Sequence, residues 1–166
     1  MRINRTLARP EYVVVVVCVL TAAGCSQRVP LANVSSQAAE AIKTAFPDAS
    51  MEQVDSEYKN GVGIYEARLA RADQVMDVTV SHEGTIIEVE STVAMSDTPK
   101  AVADAISAAA ETGTITKIEK VELRGAVRSG KIVLFDTPQM FYEVKYRKWG
   151  IIREVKVAPD GSSIKP

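Results

Sequence analysis

Alternating apolar and polar residues cover most of the chain and predict an antiparallel β-sheet with one covered face and one wet face. In residues 63–71, Tyr65, Ala67 and Leu69 fall on one side and charged residues fall on the other. Successive side chains of a strand point to opposite faces, so this period of two indicates a strand. Asn60-Gly61 predicts a tight hairpin turn, because such a turn needs positive φ at both positions. Similar patterns predict further strands at 51–58, 75–81, 85–92, 114–123, 140–148 and 151–158.

Two segments have the apolar spacing of a helix instead. In the first, Ser35 or Ser36 can cap the helix, and Pro47 should end it. The second should begin with Thr98 as its cap and Pro99 at the first helical position. The apolar faces consist of Ala38, Ala41, Ile42, Ala45 and Phe46 in the first helix, and of Val102, Ala105, Ile106 and Ala109 in the second.

The strand pattern occurs twice, which predicts two copies of one structural unit. Residues 64–84 align without a gap with residues 141–161, so that Tyr65 matches Tyr142. Self-similarity at a fixed shift marks a repeated supersecondary unit. We therefore predict an α+β fold, in which two tandem α-β-β-β(-β) repeats form a curved antiparallel sheet with helices packed on one face.

The second copy contains an insertion between its first and second strands. The helices of the two copies align at a shift of 64 residues and the later strands at a shift of 77, so 13 residues are added within 124–139. Inserted loops cost little stability and often carry function. The apolar run from Ile132 to Phe135 fits an extension of the two strands equally well, and both interpretations stay open at this point.

The N-terminal residues are similar to a bacterial lipoprotein signal peptide. Basic residues precede an apolar run at 12–23, which is shorter than the roughly 20 residues that span a bilayer. The run ends in Ala22-Ala23-Gly24-Cys25, which resembles a lipobox in which Cys25 becomes the lipidated first residue. A short membrane anchor or an ordinary signal peptide is the alternative. The predicted organisation is a signal peptide at 1–24, a tether at 25–35, a first repeat at 36–95 and a second repeat at 96–166.

One ordered set of motifs follows the first helix: Phe46-Pro47, a strand, the Tyr65 strand, Val78-Thr79-Val80, an acidic-Gly turn and Ile87-Glu88-Val89. This order resembles one repeat of the PepSY-like family, also called the beta-lactamase-inhibitor-like (BLIP-like) family. Two such repeats behind a lipobox look like the tandem-repeat periplasmic lipoproteins of that family. The resemblance implies a curved sheet with helices on its convex side and a non-catalytic binding or inhibitory role. It supplies no catalytic residues.

Composition narrows the classes of partner. A formal charge of −1, with charges of both signs scattered along the chain, leaves no basic footprint for nucleic acid. Cys18 lies in the predicted signal peptide and Cys25 is the predicted lipid site, so no disulfide is expected. We expect a bacterial envelope protein that faces the periplasm, with a membrane bound through the lipid on Cys25 and a protein as partners.

Candidate chemistry is sparse. His82 is the only histidine, and one imidazole beside one carboxylate makes a poor metal site. The sequence has no Gly-x-Ser-x-Gly elbow and no Gly-rich phosphate loop. Glu66 and Glu143 form a symmetric pair, but Arg68 and Lys145 on the same face predict ion pairing rather than acid–base catalysis. We expect no catalytic residue, no metal and no cofactor.

The aromatic residues indicate a binding surface. Five of the eight aromatic residues after Cys25 lie between positions 135 and 149. Alternation places Phe141 and Trp149 on the face away from the helices, and exposed aromatic and arginine side chains are typical of binding hot spots. Alternatively, Trp149 covers a hairpin end or the seam between the repeats. The candidate protein-binding residues are Phe141, Glu143, Lys145, Arg147 and Trp149.

Together these patterns predict a non-catalytic protein-binding module that inhibits or regulates an envelope hydrolase or protease. A structural or adaptor lipoprotein, or a small-ligand or metal-binding module with no enzyme target, is the alternative.

Overall fold

The computed structural model describes residues 26–72 and 74–164. Eight strands form one antiparallel sheet, and each strand pairs with its neighbours in chain order. The strands are β1 Gln27–Val29, β2 Ser50–Lys59, β3 Val62–Arg71, β4 Gln74–Ser81, β5 Ile86–Thr92, β6 Thr114–Arg128, β7 Lys131–Lys148 and β8 Ile151–Val157. The predicted turn at Asn60-Gly61 is confirmed, with φ of +49° and +83°.

Two helices, α1 at Ser36–Ala45 and α2 at Lys100–Ala110, precede β2 and β6. The predicted cap of α1 is confirmed, because the Ser35 side chain accepts a hydrogen bond from the Ala38 amide. The predicted start of α2 is wrong. Pro99 itself lies at the N-cap position, while the Thr98 hydroxyl donates to the Met95 carbonyl oxygen.

The predicted α+β class is also wrong, because the described chain is mainly β. Strands β5 and β6 pair directly, from Glu88 opposite Leu123 to Thr92 opposite Glu119, and this pairing joins all strands into a single sheet. The inserted residues extend β6 and β7, and part of the predicted tether forms β1. These additions leave two short helices beside one eight-stranded sheet.

Both helices cover the same face of the sheet, and the core lies beneath them. Ala38 and Ile42 of α1 pack with Tyr65, Val78 and Val89. In the same way, Val102 and Ile106 of α2 pack on residues of the later strands, which are Ile118, Tyr142, Val144 and Val157. Because alternate strand residues face opposite ways, the residues between these positions lie on the other side, which we call the helix-free face.

The insertion forms an arm, defined as residues 124–138, that bends over the helix-free face. Leu123 pairs with Gln139, whereas Gly125 pairs with Leu134, so four residues of β7 face a single residue of β6 at the bend. At Gly125 a side chain would meet the Val133 carbonyl oxygen at 2.8 Å, so glycine is needed there. The strand-extension interpretation of the insertion is therefore confirmed.

Candidate functional site

The helix-free face carries a belt of charged side chains that crosses the sheet. Three of its carboxylates are buried or nearly so: Asp77 is 9 % exposed, Glu119 1 % and Glu143 8 %. A sheet face that was simply solvated would not bury charges in this way, because unpaired buried charges are costly. The belt consists of Glu66, Arg68, Asp77, Glu88, Glu90, Lys117, Glu119, Glu143, Lys145 and Lys156.

Ion pairs satisfy much of this belt. The Arg68 Nε lies 3.0 Å from Asp77 Oδ1, and the Lys117 Nζ lies 2.5 Å from Glu119 Oε1. Lys156 on β8 pairs with Glu143 on β7. Ion pairing across strands is thus confirmed for Glu143, although its partner is Lys156 rather than Lys145.

Asp77, Glu90 and Glu119 bring three carboxylates together, with oxygen atoms within 4.8 Å of one another. Burial and the neighbouring Glu119 carboxylate raise the pKa of Glu90 to about 8. These are the described residues placed closely enough to hold a cation. Lys117 and Arg68 already adjoin them, so a proton held on Glu90 fits the local charge better than a metal ion.

A cavity of about 260 Å³ lies between the arm and the helix-free face. Its polar groups include Glu88 and Lys156, and burial together with nearby Glu143 raises the pKa of Glu88. The Lys156 Nζ lies 5.1 Å from the centre of the Phe141 ring, which forms part of the wall. The apolar lining consists of Ile64, Ile87, Leu123, Ala126, Val127 and Phe141.

The arm reaches across the sheet to close one end of this cavity. A side chain added at Gly130, in the arm's turn, would lie 3.6 Å from the Asn60 carbonyl oxygen in the β2–β3 turn. Lys59, next to that turn, also lines the cavity. The cavity is therefore bounded by both halves of the chain.

The predicted binding residues are brought together only in part. Phe141 and Glu143 are buried, Lys145 is half-buried and Arg147 is exposed, and all four lie on the helix-free face. Trp149 lies apart from them, in the β7–β8 turn, where 79 % of its surface is exposed. Its ring lies against Lys148 and Arg153, and Arg153 pairs with Tyr146, which points toward the helices. The prediction that Trp149 shares the face of Phe141 is therefore wrong.

His82 is placed as predicted, in the turn between β4 and β5. Its ring stacks on Tyr65 at a centroid distance of 4.2 Å, and its Nε2 lies 3.3 Å from the Ser56 hydroxyl. The predicted lipid site, Cys25, lies outside the described residues. Among the described residues, no helix has the length and apolarity needed to cross a membrane.

The cavity and the carboxylate cluster were not found from the sequence. Glu90 and Glu119 come together only because β5 pairs with β6. These two strands are separated in sequence by α2, so no local pattern of residues indicates that they pair. The bend itself could have been predicted from Gly125, because a glycine within a strand-like run often marks a bulge or a close approach of two backbones.

No family model matches the sequence, and no curated protein matches it. Solved structures do match the fold. A DUF2874 family protein from Bacteroides uniformis has 16 % identity and a TM-score of 0.60, covering 78 % of this chain and 86 % of its own. A protein from Bacteroides eggerthii, provisionally described as periplasmic, has 13 % identity and a TM-score of 0.62, covering 80 % and 86 %.

A BLIP-like protein from Bacteroides fragilis has 16 % identity and a TM-score of 0.58, covering 82 % of this chain and 85 % of its own. At such low identities the likeness concerns the fold alone. The chain therefore has a BLIP-like fold.

Proposed function

We propose that this chain is a non-catalytic protein-binding module of the bacterial envelope, and that its partner docks on the helix-free face beside the arm. The cavity next to Phe141 is the observation that carries the proposal. Binding energy concentrates where an anchor side chain fills a desolvated pocket that charged groups surround. Here the apolar lining of the cavity supplies such a pocket, and the belt of ion pairs supplies its rim.

The similar structures support the same function without defining the partner. One is named a BLIP-like protein and another is provisionally described as periplasmic. The regulatory form of the proposal is that the partner is an envelope hydrolase or protease, which the bound chain inhibits. Its test is the hydrolase and protease activity of an envelope extract before and after addition of the purified chain.

The binding face is tested by filling the cavity without disturbing the core. Ala126→Trp places a large ring in the cavity, whereas Thr137→Trp adds the same ring to an exposed part of the arm. Wild type and Thr137→Trp should capture the same protein from an envelope extract, and Ala126→Trp should lose it by at least about 10-fold. Equal capture by all three would contradict docking at the cavity, provided that the captured protein binds the purified chain directly.

The cavity also favours a second candidate function, the binding of a small amphipathic molecule. An engineered cavity of about 150 Å³ is large enough for benzene, so about 260 Å³ admits a larger ligand. Native mass spectrometry of the chain purified from its own envelope would detect such a ligand. A bound mass that Ala126→Trp removes and Thr137→Trp retains would favour this candidate over a protein partner.

We also propose that Cys25 carries the lipid that holds the chain at the membrane. The support is the run of small residues that precedes this cysteine. Cys25→Ser should release the chain into the soluble envelope fraction and abolish labelling by a radioactive fatty acid. A Cys18→Ser chain, altered within the predicted signal peptide, should remain labelled.

A further inference from the structure

The β7–β8 turn holds a tryptophan in a conformation that disfavours it. Trp149 has φ of +54° and the following Gly150 has φ of +78°. Two other turns share this geometry, and their first positions are occupied by Asn60 and Ser129, which are small and polar. Positive φ is strained for a bulky residue, and the exposed ring gains little burial in return. The fold alone therefore does not account for Trp149.

Apolar side chains surround Trp149 on both sides of the sheet. Ile151 is 57 % exposed and Ile152 is 62 % exposed. Adjacent strand residues point to opposite faces, so one isoleucine projects beside α2 and the other projects from the helix-free face. The tip of the hairpin is thus apolar all round, whereas a flat protein surface would contact only one side.

Three basic residues, Arg147, Lys148 and Arg153, lie next to this apolar tip, and we call them the collar. Lys148 and Arg153 lie over the Trp149 ring, with their charged ends 4.8 and 5.9 Å from its centre. Arg147 is exposed on the opposite face of the sheet. Residues 145–153 contain four basic residues and no acidic residue, although the whole chain has a net charge of −1.

One cation of the collar is poorly satisfied by the protein itself. The Arg153 Nε is buried and has no hydrogen-bond partner among the described residues. Lys148, in contrast, lies 2.5 Å from the Glu111 carboxylate. The buried Nε itself is out of reach of an external anion, but Arg153 makes no ion pair among the described residues, so the charge of its half-buried side chain is not neutralised within the chain.

From these observations we infer that the β7–β8 hairpin tip inserts into the surface of an anionic lipid bilayer. Trp149, Ile151 and Ile152 enter the boundary between headgroups and acyl chains, where tryptophan is favoured. The exposed Arg147 and the half-buried Arg153 then lie near lipid phosphates and strengthen the attachment electrostatically.

This attachment is independent of the proposed protein-binding face. Phe141 lines the cavity from within β7, whereas Trp149 follows the end of that strand, so the cavity and the hairpin tip are separate places along the longest described strand. A chain held by the tip therefore leaves the cavity accessible. The inference also does not depend on the lipid predicted at Cys25.

Trp149 is the only tryptophan in the chain, so its fluorescence reports on the tip alone. The full chain is mixed with vesicles of phosphatidylcholine, with or without phosphatidylglycerol, and with vesicles whose acyl chains are brominated. Anionic vesicles should shift the emission to shorter wavelength and brominated anionic vesicles should quench it. Phosphatidylcholine alone, or free inorganic phosphate, should leave the emission unchanged, and 1 M salt should reverse the shift.

Matched variants assign the effect to the collar. Arg147→Gln with Arg153→Gln should weaken the vesicle-induced shift by about 30-fold in lipid concentration. Arg128→Gln with Lys131→Gln removes the same charge from the arm's turn and should leave the shift intact. These variants change exposed or half-buried positions, so near-ultraviolet circular dichroism can verify that each remains folded.

The apolar run at 12–23 can attach the full chain to vesicles by itself. The emission of Trp149 distinguishes this attachment from insertion of the hairpin tip. Sedimentation with vesicles while the Trp149 emission stays at its solvent-exposed wavelength would overturn the inference. An equal shift with phosphatidylcholine alone would overturn the anionic preference. A shift caused by an acidic protein and not by vesicles would assign the tip to a protein partner instead.

Discussion

Gly84 and Gly161 hold the same position in the two halves of the chain, each pressed against the first turn of the preceding helix. Their φ values are +87° and +86°. A side chain at Gly84 would lie 2.7 Å from the Gln37 carbonyl oxygen, and one at Gly161 would lie 2.6 Å from the Ala101 carbonyl oxygen. Each helix is thus seated on a turn that requires glycine both for its backbone and for its closeness.

Alanine at either glycine should destabilise the fold by more than about 2 kcal/mol. Left-handed backbone costs an alanine about 1 kcal/mol or more, and displacing the helix backbone adds a similar amount. Gly61→Ala is the matched control, because φ is +83° there but the space around the glycine is open. Urea denaturation should rank Gly61→Ala as clearly milder than Gly84→Ala and Gly161→Ala. Equal losses would show that helix seating adds nothing.

Lys117→Met should destabilise the chain by about 1–3 kcal/mol, because it removes the cation nearest to the buried Glu119 carboxylate. The Lys117 Nζ lies 2.5 Å from Glu119 and 3.9 Å from Asp77. Lys100→Met removes an exposed ion pair with Asp104 on α2 and should cost no more than about 0.5 kcal/mol. The two free energies of unfolding, measured at pH 7 in urea, should differ clearly. Similar values would show that Lys117 is as dispensable as a surface lysine.

Glu90→Gln should make the stability of the chain less dependent on pH. The folded-state pKa of Glu90 is raised from 4.5 to about 8, first by burial and then by Glu119. Between these two pH values the folded state keeps a proton that the unfolded state has lost. Its contribution to stability is therefore complete below pH 4.5 and declines as the pH rises toward 8.

The difference between variant and wild type measures this effect. Relative to wild type, Glu90→Gln should become progressively more stable from pH 5 to pH 9 in urea titrations. Some slope should remain, since burial also raises the pKa of Glu66 and Glu88. Glu83→Gln, altered at an exposed turn residue, should follow the wild-type slope. If the stability of Glu90→Gln depended on pH as steeply as that of wild type, the proton would have to be bound by another group.

The local elements of this fold could be predicted from sequence because their causes are local. Alternation identified β3 and β4, and the Asn60-Gly61 pair identified a turn, since both depend on neighbouring residues. The predicted fold class failed at a non-local step, the pairing of β5 with β6 across α2. Alternation tells which face a side chain occupies, but it does not tell which strands will become neighbours.

In the candidate site, too, the features with local causes could be predicted from the sequence and the features with non-local causes could not. Alternation correctly placed Tyr142 toward the helices and Glu143 on the opposite face. It failed for Trp149, because a residue with positive φ in a turn no longer follows the period of the strand. The cavity required the bend at Gly125, which brings residues of the arm over strands far away in sequence.

Trp149→Asn should change the stability of the fold by less than about 0.5 kcal/mol, because two effects of similar size oppose each other. Asparagine relieves left-handed strain of about 1 kcal/mol. The same change removes the contacts of the ring with Lys148 and Arg153, worth about 0.5–1 kcal/mol for an exposed ring. The reciprocal change, Asn60→Trp, introduces the strain without those contacts and should destabilise by about 1 kcal/mol. A loss above about 2 kcal/mol in Trp149→Asn would make Trp149 a structural residue and remove the argument that its exposed position serves binding.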